Sequence, residues 1–375
     1  MHVLLDGTQA GNRSGIGSYT CALMRELPSV TKDLELRALC PSTMLEEFKG
    51  VASLSLIPCT DALSPLATIR RSFVMARSVG RLPTDVLHYP ASFTRLLGSG
   101  LSRASKVILT VHDLSFLREP GWFRWDRSAY YRAMIRRSVR HATRILADSV
   151  ATSRDLQEYL DVDPSRIDVT PLGVDSRFRP ASEEEVTRAQ ETYDLPETFF
   201  LYVGTLEPRK NVPRLIQAFD SIAGECEHDL VIAGRDGWKF DSIYDAAAAT
   251  EHSGRIHFIG FVEDDMLPAV LSAAEAFVWP SLWEGFGLPP LEAMACGAPV
   301  ITSNTSSLPE VVGDAALTVP PEDTDAIAHA MRTLLADPER RKSLRDRGMR
   351  RAGEFTWKRT AELTYAAYRK ACEMN

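Results

Sequence analysis

Short apolar runs alternate with longer amphipathic stretches along the whole chain. The runs at residues 2–7, 34–40, 85–89, 106–111, 144–147 and 167–170 are mostly apolar without strict polar alternation, as expected of strands buried on both faces of a parallel sheet. A second series restarts at residues 199–204 and continues at 229–233, 255–259, 274–278 and 299–302. Helical periodicity fills most of the intervals. It predicts an amphipathic helix ending near Leu27, helices over 212–222 and 288–296, and a last one over 359–372 introduced by Phe355-Thr356-Trp357. Gly297 and Pro299 supply the stop for the helix over 288–296. Strand and helix in alternation mean an α/β protein, and the two series mean two parallel sheets. A length of 375 residues also favours two cores over one. Residues 180–196, with Glu183, Glu184 and Glu185, read as a polar linker and helix between the halves.

Composition changes this picture little. A hydrophobic content of 45% and a charged content of 25% describe an ordinary globular chain, and no apolar run is long enough to span a bilayer. The first residues enter a strand-like run directly, without a basic region and apolar stretch, so a cytoplasmic location is expected. Six cysteines are scattered, with no C-x-x-C pair and no histidine cluster of metal-ligand spacing, and read as reduced thiols. Charge is more informative. Residues 1–177 hold 23 Lys+Arg against 18 Asp+Glu and the remainder 20 against 32, so the overall −7 conceals a positive first half suited to an anionic partner.

The candidate chemistry lies where strands end. Residues 279–299, WPSLWEGFGLPPLEAMACGAP, place Glu284 and Glu292 around a glycine turn that opens a helix. Gly285 and Gly287 permit positive φ or close ligand approach, and Pro289 and Pro290 suit a first helical turn. Such a helix start presents unpaired N–H groups to an anion; the alternative is a tight turn with two solvated glutamates. After the run at 199–204 comes Thr205-Leu206-Glu207-Pro208-Arg209-Lys210-Asn211, where a planar fork and a point charge form a pair suited to two phosphates. The first strand leads into a glycine-rich loop in which Gly15-x-Gly17 is followed by Thr20, so the dinucleotide fingerprint does not fit, and the phosphate loop ending in G-K-[ST] is absent. His112, at the end of the run at 106–111, shares that ligand edge of the first sheet; otherwise it is a structural histidine. Arg70, Arg71, Arg77 and Arg81 interleave with Leu66, Ile69, Phe73, Val74 and Met75, a basic amphipathic pattern that suits an anionic membrane or a solvated face. Arg132, Arg136, Arg137 and Arg140, near Tyr130 and Tyr131, read as an exposed helix face rather than a nucleic-acid site.

Taken together, Arg209-Lys210-Asn211, Glu284-Gly285-Phe286-Gly287-Leu288-Pro289, the seven-residue gap to Glu292, Pro171-Leu172-Gly173-Val174-Asp175, Gly15-x-Gly17 and His112-Asp113 resemble the retaining glycosyltransferases of family four. The resemblance covers nearly the whole chain. It implies a GT-B fold: two Rossmann-like domains facing across a cleft, residues 1–178 binding the acceptor and 179–355 the nucleotide sugar, with the helix in 356–375 crossing back to the first domain. It implies that Arg209 and Lys210 hold the donor diphosphate, Glu284 the transferred sugar and Glu292 the ribose hydroxyls. Backbone N–H groups of Phe286, Gly287 and Leu288 would reach the sugar or phosphates, and Phe261 and Val262 would border the base. His112 would lie beside the sugar, and Gly15, Gly17 and Gly204 belong to the implied donor site.

The family needs no metal and no cofactor beyond the nucleotide-sugar substrate, and same-face attack replaces a covalent intermediate. The motifs are most similar to those of bacterial mannosyl- and rhamnosyltransferases of polysaccharide assembly, which implies a hexose donor and a glycan or polyprenyl-diphosphate-linked acceptor at the inner membrane face. A nucleotide-sugar epimerase or phosphorylase of the same architecture and a two-domain ligand-binding protein are the alternatives. Nucleic acid is not among the expected partners.

Overall fold

The computed structural model describes residues 1–12, 14–59, 84–93 and 106–374. The basic stretch at Arg70, Arg71, Arg77 and Arg81 lies outside them. The chain divides into two compact units: Met1–Arg118, Trp125–Gly173 and Thr356–Asn375 form the first, and Glu119–Arg124 with Val174–Phe355 the second. Among the described residues no helix is long and apolar enough to cross a membrane.

Unit 1 is a parallel sheet of β1 (His2–Leu5), β2 (Glu35–Pro41), β3 (Leu54–Cys59), β4 (Val86–Tyr89), β5 (Lys106–Val111), β6 (Arg144–Ala147) and β7 (Ile167–Val169) in the order β3-β2-β1-β4-β5-β6-β7. Strands β4 and β6 are buried along their whole length, so they are apolar except at His88 and Arg144, whose side chains are paired with Thr110 and Asp168. Helix α1 (Gly15–Val30) follows the glycine-rich loop and buries Tyr19, Leu23, Met24 and Leu27, residues on one helical face. Helices α2 (Trp125–His141) and α3 (Val150–Leu160) follow.

Unit 2 repeats the plan with β8 (Phe199–Val203), β9 (Asp229–Ala233), β10 (Ile256–Gly260), β11 (Ala276–Trp279), β12 (Val300–Ser303) and β13 (Leu317–Val319), ordered β10-β9-β8-β11-β12-β13. Helix α4 (Val212–Ala223) packs Val212, Leu215, Ile216, Phe219 and Ile222 into the core, each fully buried. Each such side chain is worth about 2 kcal/mol of apolar burial. Helix α5 (Leu288–Ala295) begins beyond the end of β11. These are the doubly wound α/β folds expected, and in both sheets the order reverses beside the first strand, where such folds bind ligands at the strands' carboxyl ends.

The last helix, α6 (Trp357–Glu373), belongs to unit 1 and packs on α1. A buried polar chain anchors it. Tyr368 Oη lies 2.6 Å from His88 Nδ1, His88 Nε2 lies 2.8 Å from Thr110 Oγ1, and Tyr19 Oη lies 2.9 Å from the same hydroxyl. Thr360 Oγ1 donates to the Pro171 carbonyl at 2.7 Å, and a Cβ on Gly173 would sit 2.2 Å from the Trp357 nitrogen. The Pro171-Leu172-Gly173 motif therefore serves the docking of this helix.

The sequence reading differs from the structure at β3 and β13, which it misses, and at β11, which it starts early and ends before Trp279. Both missed strands lie at sheet edges, and β3 carries Pro58, a residue tolerated there because an edge strand has unpaired backbone positions.

Candidate functional site

In unit 2 the loops after β8 and β11, the two strands flanking the reversal of order, converge. Gly204 starts the first loop. A Cβ there would lie 2.7 and 2.9 Å from the Trp279 ring, so the missing side chain accommodates that indole. Trp279 is fully buried and stacks on Tyr202, with centroids 5.0 Å apart and planes at 13°. The Pro208–Lys210 turn follows. Asn211 ends it in the left-handed region at φ 62°, and its side-chain amide donates to the carbonyls of Pro280 at 3.0 Å and Pro321 at 2.7 Å. Asparagine is among the few non-glycine residues that adopt this conformation readily, and here it ties the two loops together.

Across this junction Arg209 Nη1 donates to Glu284 Oε2 at 2.9 Å and to the Trp283 carbonyl at 2.7 Å, while Nη2 donates to Glu207 Oε1 at 2.8 Å. Lys210 Nζ donates to Glu284 Oε1 at 2.7 Å and lies 4.7 Å above the Trp279 ring. All four charged side chains are largely buried. Burial opposes ionisation of Glu284, but Lys210 and Arg209 outweigh it, and with hydrogen bonds from Lys210 and Ser281 they hold the carboxyl down at about 2. Burial and the Arg209 charge lower the Lys210 pKa, against the pull of Glu284 and Glu207. With two cations and two carboxylates, the cluster is neutral overall.

The second loop is clamped by hydroxyls. Ser303 Oγ donates to the Ser281 carbonyl at 2.6 Å and Ser307 Oγ to the carbonyls of Glu284 at 3.0 Å and Phe286 at 2.6 Å, while the Glu284 N–H donates to Ser306 Oγ at 3.0 Å. This fixes Glu284 by its backbone as well as its carboxylate. Gly287, at φ 117°, leads into α5, where Pro289 and Pro290 carry no N–H, so Phe286, Gly287 and Leu288 supply the N–H groups next to the helix start. Glu292, one turn into α5, is half-buried. Burial raises its pKa to about 7; Arg177 pulls it down and Asp175 and Asp264 push it up. At the end of β10, the Arg235 guanidinium lies 4.0 Å over the Phe261 ring, and Val262 is buried beside it in sequence.

Unit 1 holds the remaining expected residues. Gly15 opens α1, and Gly17 is buried where a Cβ would come 1.7 Å from the Asn12 carbonyl oxygen, so its small size serves the packing of its own loop. His112 follows β5. Its Nδ1 lies 2.6 Å from Asp148 Oδ2 and its Nε2 3.0 Å from the Pro90 carbonyl oxygen, and its ring meets Tyr19 edge-on. Burial disfavours charge on the imidazole, but Asp148 and the Pro90 carbonyl prevail and raise its pKa above the ordinary histidine value. With acceptors at both nitrogens, the ring is set up as an imidazolium.

The structure therefore brings Arg209, Lys210 and Glu284 into direct contact, with Gly204 and the 286–288 backbone on the loops that frame them. The sequence reading left Glu207, Asp148 and Arg235 without a role. Each follows a strand's carboxyl end, which was the available signal. Among the described residues no group of three or more His, Cys, Asp or Glu side chains is arranged to hold a metal ion.

Residues 13–178 match the family model for glycosyltransferase family 4 and residues 183–351 that for the group 1 glycosyl transferases. The O-antigen chain mannosyltransferase B of Escherichia coli is 32% identical over 370 residues, covering 95% of this chain and 96% of that protein. The MMP alpha-(1->4)-mannosyltransferase of Mycolicibacterium hassiacum is 31% identical over 308 residues, covering 76% and 71%. Among solved structures, sucrose-phosphate synthase from Thermosynechococcus elongatus matches with a TM-score of 0.79 at 20% identity, covering 98% of both chains. Anabaena HepE, solved with UDP and glucose, matches with a TM-score of 0.73 at 17% identity, covering 97% of this chain and 98% of that one. These structural likenesses carry the GT-B fold. The chain belongs to the group 1 glycosyltransferases of family 4.

Proposed function

We propose that this glycosyltransferase moves a mannosyl unit, with retention and without a metal, from a nucleotide-diphosphate sugar to a glycan or lipid-linked acceptor in polysaccharide assembly. The observation that carries the reading is the meeting of Arg209, Lys210 and Glu284 at the order reversal of the second sheet. Departure of a nucleoside diphosphate develops negative charge on its phosphates, and two fixed, desolvated cations stabilise charge at that position. Glu284 accepts hydroxyls of the sugar. A carboxylate held at about 2 and bonded to two cations is a weak nucleophile, which favours same-face attack, with the leaving phosphate taking the acceptor's proton, over a covalent glycosyl intermediate. The N–H groups of 286–288 serve the phosphates and sugar, Glu292 the ribose, and Phe261 with Val262 the base. His112 keeps the role beside the sugar that the family resemblance implies. The mannosyl choice draws on the names of the relatives, among them the O-antigen and MMP mannosyltransferases.

For the membrane contact of a cytoplasmic enzyme working on a lipid-linked acceptor, we assign α2, which exposes Arg132, Arg136, Arg137 and Arg140, with Trp125 85% and Tyr130 58% exposed. Aromatic side chains at the interface and arginines toward anionic lipid form a surface-binding pattern. Flotation with phosphatidylglycerol vesicles is expected and should fail when these arginines are changed to glutamate.

The reading is tested by a thermal-shift screen of GDP-, UDP-, ADP- and dTDP-sugars, followed by turnover of the one that binds, with and without EDTA. NMR assigns the anomer of the product. Lys210→Ala and Glu284→Ala should abolish transfer, and full activity in the double variant would refute the assignment. Turnover that requires no acceptor would indicate an epimerase instead.

A further inference from the structure

We infer that Glu207 is a positioning residue that fixes the Arg209 fork and limits the positive charge presented to the diphosphate. This inference rests on the donor-site reading above. Glu207 is only 3% exposed, an unusual position for a carboxylate, and it reaches Arg209 Nη2 at 2.8 Å. The other arm, Nη1, is on Glu284 at 2.9 Å. The guanidinium is thus divided between two carboxylates of different prospects. Glu284 is the one that a sugar would claim, so its hold on the cations is exchanged when donor enters. Glu207 lies on the opposite arm of the fork, two residues before Arg209 on the same turn, and can stay in place throughout.

Two consequences follow. The plane of the fork is set before donor arrives, so less side-chain freedom is lost on binding. Two cations facing two carboxylates also leave the empty site neutral. A cluster carrying a net positive charge would bind the departing nucleoside diphosphate more tightly and slow its release. A glutamine at 207 is nearly isosteric and can accept the same hydrogen bond, but it leaves the cluster with a net positive charge. An aspartate keeps the charge but withdraws the carboxylate by one methylene.

The test measures GDP and UDP affinity by titration calorimetry at fixed salt, with kcat, donor KM and thermal unfolding, for wild type, Glu207→Gln and Glu207→Asp. Glu207→Gln is expected to bind the cognate nucleoside diphosphate on the order of tenfold tighter, with kcat and donor KM both lowered. Glu207→Asp is expected to keep nucleoside diphosphate affinity within about twofold and lose kcat, because the fork is no longer held at its distance. Equal or weaker binding by a folded Glu207→Gln overturns the inference. Should Glu207→Gln fail to fold, Glu207→Asp decides: wild-type values in both affinity and kcat overturn it, and retained affinity with reduced kcat supports it. A wild type that binds neither nucleoside diphosphate, alone or as its sugar, defeats the donor-site reading itself, a result separable from unchanged affinity in Glu207→Gln.

Discussion

Replacing Glu284 by glutamine should destabilise unit 2 by an amount that depends on pH in a way only an ion pair explains. In the folded protein, burial favours the neutral acid, but Lys210 and Arg209 reverse this and hold the carboxyl at about 2, against 4.5 for the free side chain. That depression corresponds to about 3 kcal/mol of stabilisation. Glu284 is more than nine-tenths buried, so solvent screening takes little from it. A depressed carboxylate pKa contributes in full well above the unfolded value of 4.5 and is lost as pH falls through the folded value of about 2. Glutamine has no such titration. The penalty of Glu284→Gln is therefore about 3 kcal/mol at pH 7 and about 2 kcal/mol at pH 3.5. For a unit of this size, the former moves the melting temperature by about 6–12 °C. Scanning calorimetry at the two pH values measures the penalty, and an added nucleotide sugar, which stabilises whatever binds it, marks the transition of the donor-binding unit. A melting temperature unchanged at pH 7 would refute the buried ion-pair argument. So would a penalty that did not shrink on acidification, since it would mean that the lost stability came from packing.

Gly204→Ala should cost about 1–3 kcal/mol by overpacking, because its Cβ would lie 2.7 Å from the Trp279 ring and 3.0 Å from Tyr202 Oη; a melting temperature equal to wild type would disprove that fit. The affinity of the nucleotide sugar, whose diphosphate diester does not titrate near neutrality, should rise with pH through about 7 as Glu292 ionises, and Glu292→Gln should flatten that profile in calorimetric titrations. The raised Glu292 pKa works against the fold as pH increases from 4.5 to about 7, so Glu292→Gln should also gain stability relative to wild type over that interval. Asp148→Asn should lower the His112 pKa, read from imidazole NMR shifts, because the attraction that overcomes burial is lost. His112 is raised in the fold, so its stabilising contribution is complete below the ordinary histidine pKa and disappears as pH rises through the folded one; the variant should lack this loss.

The sequence displays the strands and the chemistry at their ends because both are local: a buried parallel strand is apolar along its length, and the residues just past it belong to a ligand edge by topology alone. For this reason Arg209, Lys210 and Glu284 stand out in the sequence as charged residues just past strand ends, and the structure brings them together. Edge strands β3 and β13 escape because one flank is unpaired and neither needs a continuous apolar run. Partnerships across the fold escape for a different reason. Glu207 looks like one more charge in Leu206-Glu207-Pro208, and nothing local says that it will be buried against Arg209. Asp148 is 36 residues from His112 and meets it only because β5 and β6 are neighbours in the sheet.

Gly17 and Gly204 separate two meanings that a glycine at a ligand edge has in sequence. Either a substrate comes close to the backbone or the protein itself fills the space. At both positions the atoms a Cβ would strike belong to the protein: the Asn12 carbonyl at Gly17, and the Trp279 ring at Gly204. Both glycines shape their own loops, and through those loops they reach the residues proposed to hold donor. For Gly204 the path is short, since the indole that occupies its missing side chain carries Lys210 on its face at 4.7 Å. Gly204 thus helps set the height of a cation proposed to hold the diphosphate.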